Sequence, residues 1–140
     1  MGRITVQVEG YPPAKNEALS MLGEGHSHAR RVRALLSAAQ EALAATPDFA
    51  PIEHAKIALD VVVRVSGTDP WDATNYLGGI ADVLEDKSRR GVRVSHLGEL
   101  ANVWLYRNDR QIRRVTYTEE PGPAGYEVTI STLAKTPSDP

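Results

Sequence analysis

The fold of this chain is decided by residues 68–84, which read TDPWDATNYLGGIADVL. They follow an apolar run, residues 56–65, whose β-branched side chains predict a central strand. Asp72 or Thr74 can accept hydrogen bonds from free backbone N–H groups, so we expect a helix to begin there and to extend to about Lys87. A carboxylate at such a junction is either a helix cap or part of a cation site. The choice between these two roles decides whether the chain is an enzyme.

The rest of the sequence predicts three further strands and another helix. Apolar and polar residues alternate over residues 4–8, as in a half-buried strand. Apolar residues recur at helical spacing over residues 27–45, with Ser27 as the candidate cap. Residues 97–105 fit either a short helix or an edge segment. Residues 112–118 and 126–130 alternate and resemble a hairpin. Together these elements predict an α/β (α+β) domain with a mixed β-sheet and two main helices.

Two adjacent glycines, Gly78 and Gly79, interrupt the predicted helix that follows the central strand. Each glycine in a helix interior costs about 1 kcal/mol relative to alanine. This cost must therefore be offset by a contact that the missing side chains make possible. Close packing of the helix backbone on a strand is the ordinary explanation.

Length and composition limit the class of protein. A chain of 140 residues fits one domain, and we expect that domain over residues 1–133 with a disordered tail over residues 134–140. The absence of cysteine excludes disulfides and thiolate metal sites, and it is compatible with a reducing cytoplasm. The beginning of the chain lacks a signal-peptide core, and no apolar run approaches the ~20 residues of a membrane span. We therefore expect a cytoplasmic protein without membrane contact.

The net charge of −2 gives no global basic field for nucleic-acid binding. Twelve of the sixteen basic residues are nevertheless arginine, whose fork-shaped group suits phosphate. Genomic base composition explains the same bias equally well. The local arginine clusters are thus either phosphate contacts or solvated faces.

Three segments carry a resemblance to a known family. Residues 12–16 read PPAKN after the first strand, residues 72–84 place aspartates and an asparagine at fixed spacings, and residues 108–112 read NDRQI before a strand. In this order they resemble the RusA family of Holliday junction resolvases. That resemblance spans nearly the whole chain. It implies a RusA-like fold, a homodimer, and magnesium-dependent cleavage of branched DNA.

The family's catalytic positions are only partly retained. Asp72 matches the first aspartate of the family's metal site, and Asp109 matches the third. Thr74 stands where the second catalytic aspartate is expected, and Gly78 stands where the family has a catalytic lysine. Asn108 replaces the first member of the family's Asp-Asp pair. The resemblance therefore implies catalytic and Mg²⁺-binding roles for Asp72 and Asp109, with the charge of the site reduced.

Further residues take supporting roles in this interpretation. Asn75 and Asp82 match other positions of the same motif, and Asp69 would add a carboxylate from the preceding loop. Three of the candidate residues also have a purely structural interpretation: Asp72 as a helix cap, Asp82 as a solvated helix residue, and Asp109 as a turn residue. The candidate nucleic-acid contacts are Lys15, Asn16, Arg30, Arg31, Arg110 and Arg113.

Three functions remain open at this point. The first is a divergent RusA-like protein that binds DNA junctions and whose Mg²⁺-dependent endonuclease activity is impaired or absent. The second is a non-catalytic interaction or regulatory module on the same fold. The third is a small-molecule enzyme using Asp69, Asp72 and the histidines, which is disfavoured because no nucleophile, base and orienting group stand together.

Overall fold

Four β-strands and two α-helices form the described part of the chain. This computed structural model describes residues 2–14, 29–67, 72–88 and 97–134. The elements are β1 (Arg3–Glu9), α1 (Ala29–Ala45), β2 (Ile57–Val65), α2 (Ala73–Leu84), β3 (Ile112–Pro121) and β4 (Gly125–Thr132). A short 3-10 helix, Asp109–Gln111, precedes β3. The predicted fold class, an α+β domain with a mixed sheet and two main helices, is confirmed.

The strands form one sheet in the order β1-β4-β2-β3. β4 is antiparallel to both β1 and β2, whereas β3 is parallel to β2. The predicted hairpin of β3 with β4 is therefore wrong, because β2 lies between them. Residues 122–124 cross the end of β2, where the Gly122 N–H donates to the Val65 carbonyl at 3.2 Å. The most apolar strand takes an interior position, where strands on both sides satisfy its backbone.

Both helices pack with one face of the sheet around a single core. Side chains at alternate strand positions point into this core, as the period of a strand requires. On the opposite face the strands carry polar side chains, and the hydroxyls of Thr5 and Thr129 lie 3.0 Å apart. The core includes Val6, Leu35, Leu36, Leu59, Val61, Val63, Ile80, Val83, Val128 and Ile130.

Helix α2 ends three residues earlier than the sequence predicts. It stops at Leu84 because Glu85 adopts an extended backbone, with φ −71° and ψ 153°. The ammonium group of Lys87 is buried and donates to the carbonyls of Val83 at 2.8 Å and of Glu85 at 3.0 Å. These bonds satisfy carbonyls that the end of the helix would otherwise leave without a partner.

Gly79 is required by a close approach of α2 to the chain after β1. A Cβ atom at this position would lie 1.9 Å from the carbonyl oxygen of Pro13. The neighbour is thus the Pro12–Ala14 segment, which leaves the sheet, and not a strand as expected. Residues 12–14 and helix α2 are therefore in direct contact.

Several sequence predictions fall outside the described residues. These include the Ser27 cap, Lys15, Asn16, Asp69 and the tail from residue 135. Residues 97–102, which are described, form 3-10 turns and so follow the helical alternative. Among the described residues, none of the helices has the length and apolar composition of a membrane span.

Candidate functional site

Three carboxylates meet at the end of α2. Asp82, Glu85 and Asp109 each offer one oxygen, and these oxygens all lie within 4.8 Å of one another. Asp82 lies in the last turn of α2, and Glu85 is the residue that follows the end of the helix. Asp109 comes from the 3-10 helix that precedes β3. The fold thus brings together carboxylates from two distant parts of the sequence.

A capping box holds the 3-10 helix in place. The side chain of Asn108 accepts a hydrogen bond from the Arg110 N–H, and the side chain of Gln111 accepts one from the Asn108 N–H, each at 2.8 Å. The Asp109 N–H donates to Oε1 of Glu85 at 3.3 Å. Asp109 is therefore positioned by its neighbours in sequence and by a member of the carboxylate cluster itself.

The chain before Asp109 is joined to the end of α2 by backbone hydrogen bonds. The Leu105 N–H donates to the Leu84 carbonyl at 2.9 Å, and the Asp86 N–H donates to the Tyr106 carbonyl at 3.0 Å. Tyr106 is fully buried, and its hydroxyl donates to the carbonyl of Ala81 in α2. This connection sets the distance between the two elements that carry the cluster.

The pKa of the Tyr106 hydroxyl is affected by the nearby carboxylates. Burial raises the pKa of its hydroxyl well above the ordinary value of 10.0. The negative charges of Glu85, Asp109 and Asp82 raise this pKa further. Tyr106 therefore remains a neutral hydrogen-bond donor and does not serve as a base.

The donor set fits a hard divalent cation. Carboxylate oxygens are the ligands that Mg²⁺ and Ca²⁺ prefer. Opposite oxygens around Mg²⁺ are about 4.2 Å apart, and around Ca²⁺ about 4.6–5.2 Å. Oxygens that lie within 4.8 Å of one another are close enough for the three carboxylates to share one such cation. A cation there would offset the repulsion among like charges at the negative end of a helix.

Asp72 lies at the opposite end of α2 and serves as its cap. Oδ1 of Asp72 accepts hydrogen bonds from the Asn75 N–H and from the Thr74 hydroxyl, both at 3.0 Å. Ten residues of helix place Asp72 about 15 Å along the axis from Asp82. The sequence left two roles open for Asp72, and these bonds show that it serves as the helix cap.

The other predicted site residues are distributed over several elements. Asn75 and Thr74 lie in the first turn of α2, and the latter is exposed. Asp69, Lys15 and Asn16 are outside the described residues. Four of the predicted nucleic-acid contacts are described: Arg30, exposed on α1; Arg31, half-buried on α1; Arg110, exposed on the 3-10 helix; and Arg113, exposed on β3.

Two arginines near the beginning of β3, Arg107 and Arg114, have partners inside the protein. Arg107 pairs with Glu53 at 2.6 Å and with Asp86, and its guanidinium lies 4.5 Å from the centre of the Trp104 ring. Arg114 lies 3.8 Å from Asp60. These ion pairs neutralise part of the basic charge that the sequence suggested for phosphate binding.

Sequence reasoning missed Glu85 and Tyr106. The spacing of Asp82 and Glu85 was a usable signal, since three residues along a helix return to the same face. Tyr106 carried no such signal, because its place near the cluster depends on how residues 105–107 pack on α2.

No protein-family model matches the chain, and no curated protein matches it. Its function must therefore be inferred from its own residues. The acidic cluster at the end of α2 is the feature of the described structure that most resembles a site.

Proposed function

We propose that this chain is a divergent RusA-like protein that binds branched DNA and holds one Mg²⁺ ion at Asp82, Glu85 and Asp109. Its endonuclease activity is weak or absent. The observation that supports the proposal is the convergence of Asp82 with Asp109. Both match motif positions of the RusA family, yet they are far apart in sequence, and their carboxylate oxygens lie within 4.8 Å of each other.

The residues of the site act mainly by binding and orientation. A bound Mg²⁺ would polarise a phosphate oxygen and lower the pKa of a coordinated water. Asp82 and Glu85 supply ligands from a rigid helix end, and Asp109 closes the site from the 3-10 helix. The hydrogen bond from the Asp109 N–H orients the Glu85 carboxylate.

Weak cleavage follows from the groups that the chain lacks. Thr74 supplies no carboxylate and lies in the first turn of α2, about 12 Å along the helix axis from Asp82. Gly78 has no side chain to contact a phosphate or a leaving oxygen. Phosphodiester cleavage by two metals needs enough negative charge to hold both ions, and one three-carboxylate cluster suits a single ion.

DNA contact is assigned to exposed arginines. Arg30 on α1 and Arg110 beside the cluster are exposed and can reach phosphates. Because the whole chain carries a net charge of −2, the attraction must be local. Binding should therefore weaken steeply as salt rises. The resemblance also implies that two copies act together on a junction.

Metal titration tests the proposal directly. We expect Mn²⁺ or Mg²⁺ to bind the native protein with one-to-one stoichiometry in calorimetry, and Asp82→Asn or Glu85→Gln to weaken binding at least tenfold. Asp72→Asn is the matched control, since asparagine also caps helices and Asp72 lies away from the cluster. Equal loss in all three variants, or no metal binding by the native protein, would refute the metal site.

DNA assays separate the proposal from its main rival, a non-catalytic interaction module. That rival is favoured by the use of Asp72 as a cap. The proposal expects four-way junction DNA to bind in preference to linear duplex, with Arg110→Gln weakening it. It expects no gain of cleavage from the double variant Thr74→Asp, Gly78→Lys, because Thr74 lies about 12 Å along the axis of α2 from Asp82. Absence of junction binding in both proteins would support the interaction module.

A further inference from the structure

The hydroxyl group of Tyr126 is buried and has no hydrogen-bond partner among the described residues. Tyr126 is the second residue of β4, and its side chain is fully buried. In the unfolded chain this hydroxyl bonds to water, and burial without a replacement for those bonds is unfavourable. Such groups are rare in folded proteins. The hydroxyl therefore marks a position where a further polar group belongs.

Tyr126 lies at the carboxyl ends of two parallel strands. β1 and β2 are both antiparallel to β4 and are therefore parallel to each other. Tyr126 pairs with Val8 near the end of β1 and with Val63 near the end of β2. In open sheets covered by helices, ligands bind in the crevice outside the carboxyl ends of parallel strands. The hydroxyl thus lies at the edge of the sheet where the topology favours a ligand.

Aromatic rings enclose the helix side of this edge. The Tyr11 hydroxyl accepts from the Ser66 N–H at 3.1 Å and donates to the Ser66 carbonyl at 3.3 Å. Because β4 lies between β1 and β2, this link bridges the beginning of β4. The Tyr11 ring also stacks on the buried ring of Tyr76 in α2, with centroids 6.3 Å apart. A crevice closed in this way suits a small ligand.

A positive charge acts on the Tyr126 hydroxyl. Burial raises the pKa of this group, and the guanidinium of Arg31 lowers it in part. Arg31 lies in the first described turn of α1, and its charge favours negative charge near the phenol. Arg31 has other interactions as well, so its contribution here is its electric field. The beginning of α2 is already capped by the carboxylate of Asp72, which leaves Arg31 as the cation that acts on this hydroxyl.

We propose that the crevice beside Tyr126 binds a small free oxyanion of the size of inorganic phosphate. The Tyr126 hydroxyl donates a hydrogen bond to one anion oxygen, and Arg31 compensates the negative charge. A water molecule could accept the same hydrogen bond, but it would gain less from the charge of Arg31. The phosphates of a DNA duplex do not reach a fully buried hydroxyl, so the anion is a free one.

The oxyanion site is separate from the acidic cluster. Tyr76 lies in the first turn of α2, whereas Asp82 lies in its last turn. The three carboxylates at that far end would repel an anion, so their distance from Tyr126 is required. The inference needs neither the metal nor DNA and does not rest on the proposed function. Failure of either one leaves the other intact.

Phosphate titration of the whole chain tests the hydrogen bond. We expect inorganic phosphate to bind the native protein with one-to-one stoichiometry in calorimetry. Tyr126→Phe should weaken binding about tenfold or more, because it removes a hydrogen bond to a charged group. Tyr106→Phe is the matched control, since the Tyr106 hydroxyl already donates to the Ala81 carbonyl. No binding by the native protein, or native affinity in Tyr126→Phe, would overturn the inference.

A second pair of variants tests the charge. We expect Arg31→Gln to weaken phosphate binding about tenfold, because the compensating charge is lost. Arg33→Gln, the same substitution at an exposed position of α1, is the control and should bind as the native protein does. Equal weakening in both variants would indicate general attraction of phosphate to surface arginines and would refute the site.

Denaturant unfolding in phosphate-free buffer tests whether the Tyr126 hydroxyl already has a partner. Tyr126→Phe should unfold at about the native denaturant concentration, because none of the described residues bonds to its hydroxyl. Tyr106→Phe should unfold at a lower concentration, because it loses a hydrogen bond. Added phosphate should then stabilise the native protein and leave Tyr126→Phe unchanged. Equal destabilisation of the two variants without phosphate would show that an internal water already satisfies Tyr126, and the oxyanion site would be excluded.

Discussion

The backbone N–H of Asp109 donates a hydrogen bond to Oε1 of Glu85, at 3.3 Å and across 24 residues of sequence. This contact joins the 3-10 helix before β3 to the end of α2. It places Asp109, from the carboxyl half of the chain, beside Asp82 of the helix. The proposed metal site thus depends on how these two short elements are held.

Asn108 should control both stability and metal affinity. Its side chain caps the 3-10 helix by accepting from the Arg110 N–H. We expect Asn108→Ala to reduce the free energy of unfolding by about 1 kcal/mol. Mn²⁺ affinity should fall several-fold, because Asp109 would be held less firmly. Thermal unfolding and calorimetry check the two effects.

Asn108→Asp is the control for that experiment. Aspartate keeps the capping oxygen, so the stability should stay close to that of the native protein. The same substitution adds a carboxylate beside Asp109, so metal affinity should be retained or increased. An alanine variant with native stability and native affinity would contradict the capping argument.

The strands and helices were largely predictable because their patterns are local. Alternation over residues 4–8 and the apolar run at 56–65 correspond to β1 and β2. The strand order was not predictable in this way. The three residues 122–124 look like a hairpin loop, yet they cross the end of β2. This crossing arises because the apolar strand β2 pairs with a neighbour on each side, which a local sequence pattern does not show.

The candidate site was predictable only in part for a similar reason. Asp72 suits both the predicted role of a metal ligand and the role of a helix cap, and the sequence alone does not separate these two roles. Asp82 and Asp109 were singled out, but Glu85 was not. Its carboxylate joins them only because residues 105–107 pack against the end of α2.

Asp86 should contribute stability that is lost in acid. Burial alone would raise its pKa, but hydrogen bonds from the Ser88 N–H and from the side chains of Arg107 and Ser88 lower it below the ordinary 3.8. A depressed folded-state pKa stabilises the protein above the unfolded value, and the effect disappears as pH falls through the folded value. Asp86→Asn should therefore be less stable than the native protein at pH 6.

Denaturant unfolding at several pH values checks this prediction. The difference between the native protein and Asp86→Asn should shrink below about pH 4. Asp48→Asn, the same substitution at an exposed loop position, is the matched control. A constant difference from pH 6 to pH 3 would exclude the ionic contribution.

Two buried tyrosines should make the protein sensitive to alkali. Burial raises the pKa values of both Tyr106 and Tyr126 above 10.0. The folded state then holds protons that the unfolded state releases, so stability falls as pH rises above about 10. In absorbance titration, these two phenols should ionise only as the protein unfolds. Tyr106→Phe should reduce that late absorbance change, and ionisation of Tyr106 without unfolding would contradict its burial.

Gly79 should tolerate no side chain. Alanine normally stabilises a helix by about 1 kcal/mol relative to glycine. Here its Cβ would lie 1.9 Å from the Pro13 carbonyl oxygen, so α2 or the Pro12–Ala14 segment must move. We expect Gly79→Ala to reduce the free energy of unfolding by about 1–3 kcal/mol, as overpacking does. Ala81→Gly in the same helix is the control and should lose only about 1 kcal/mol of helix propensity. If Gly79→Ala were instead more stable in denaturant unfolding, the close approach of α2 to Pro13 would be ruled out.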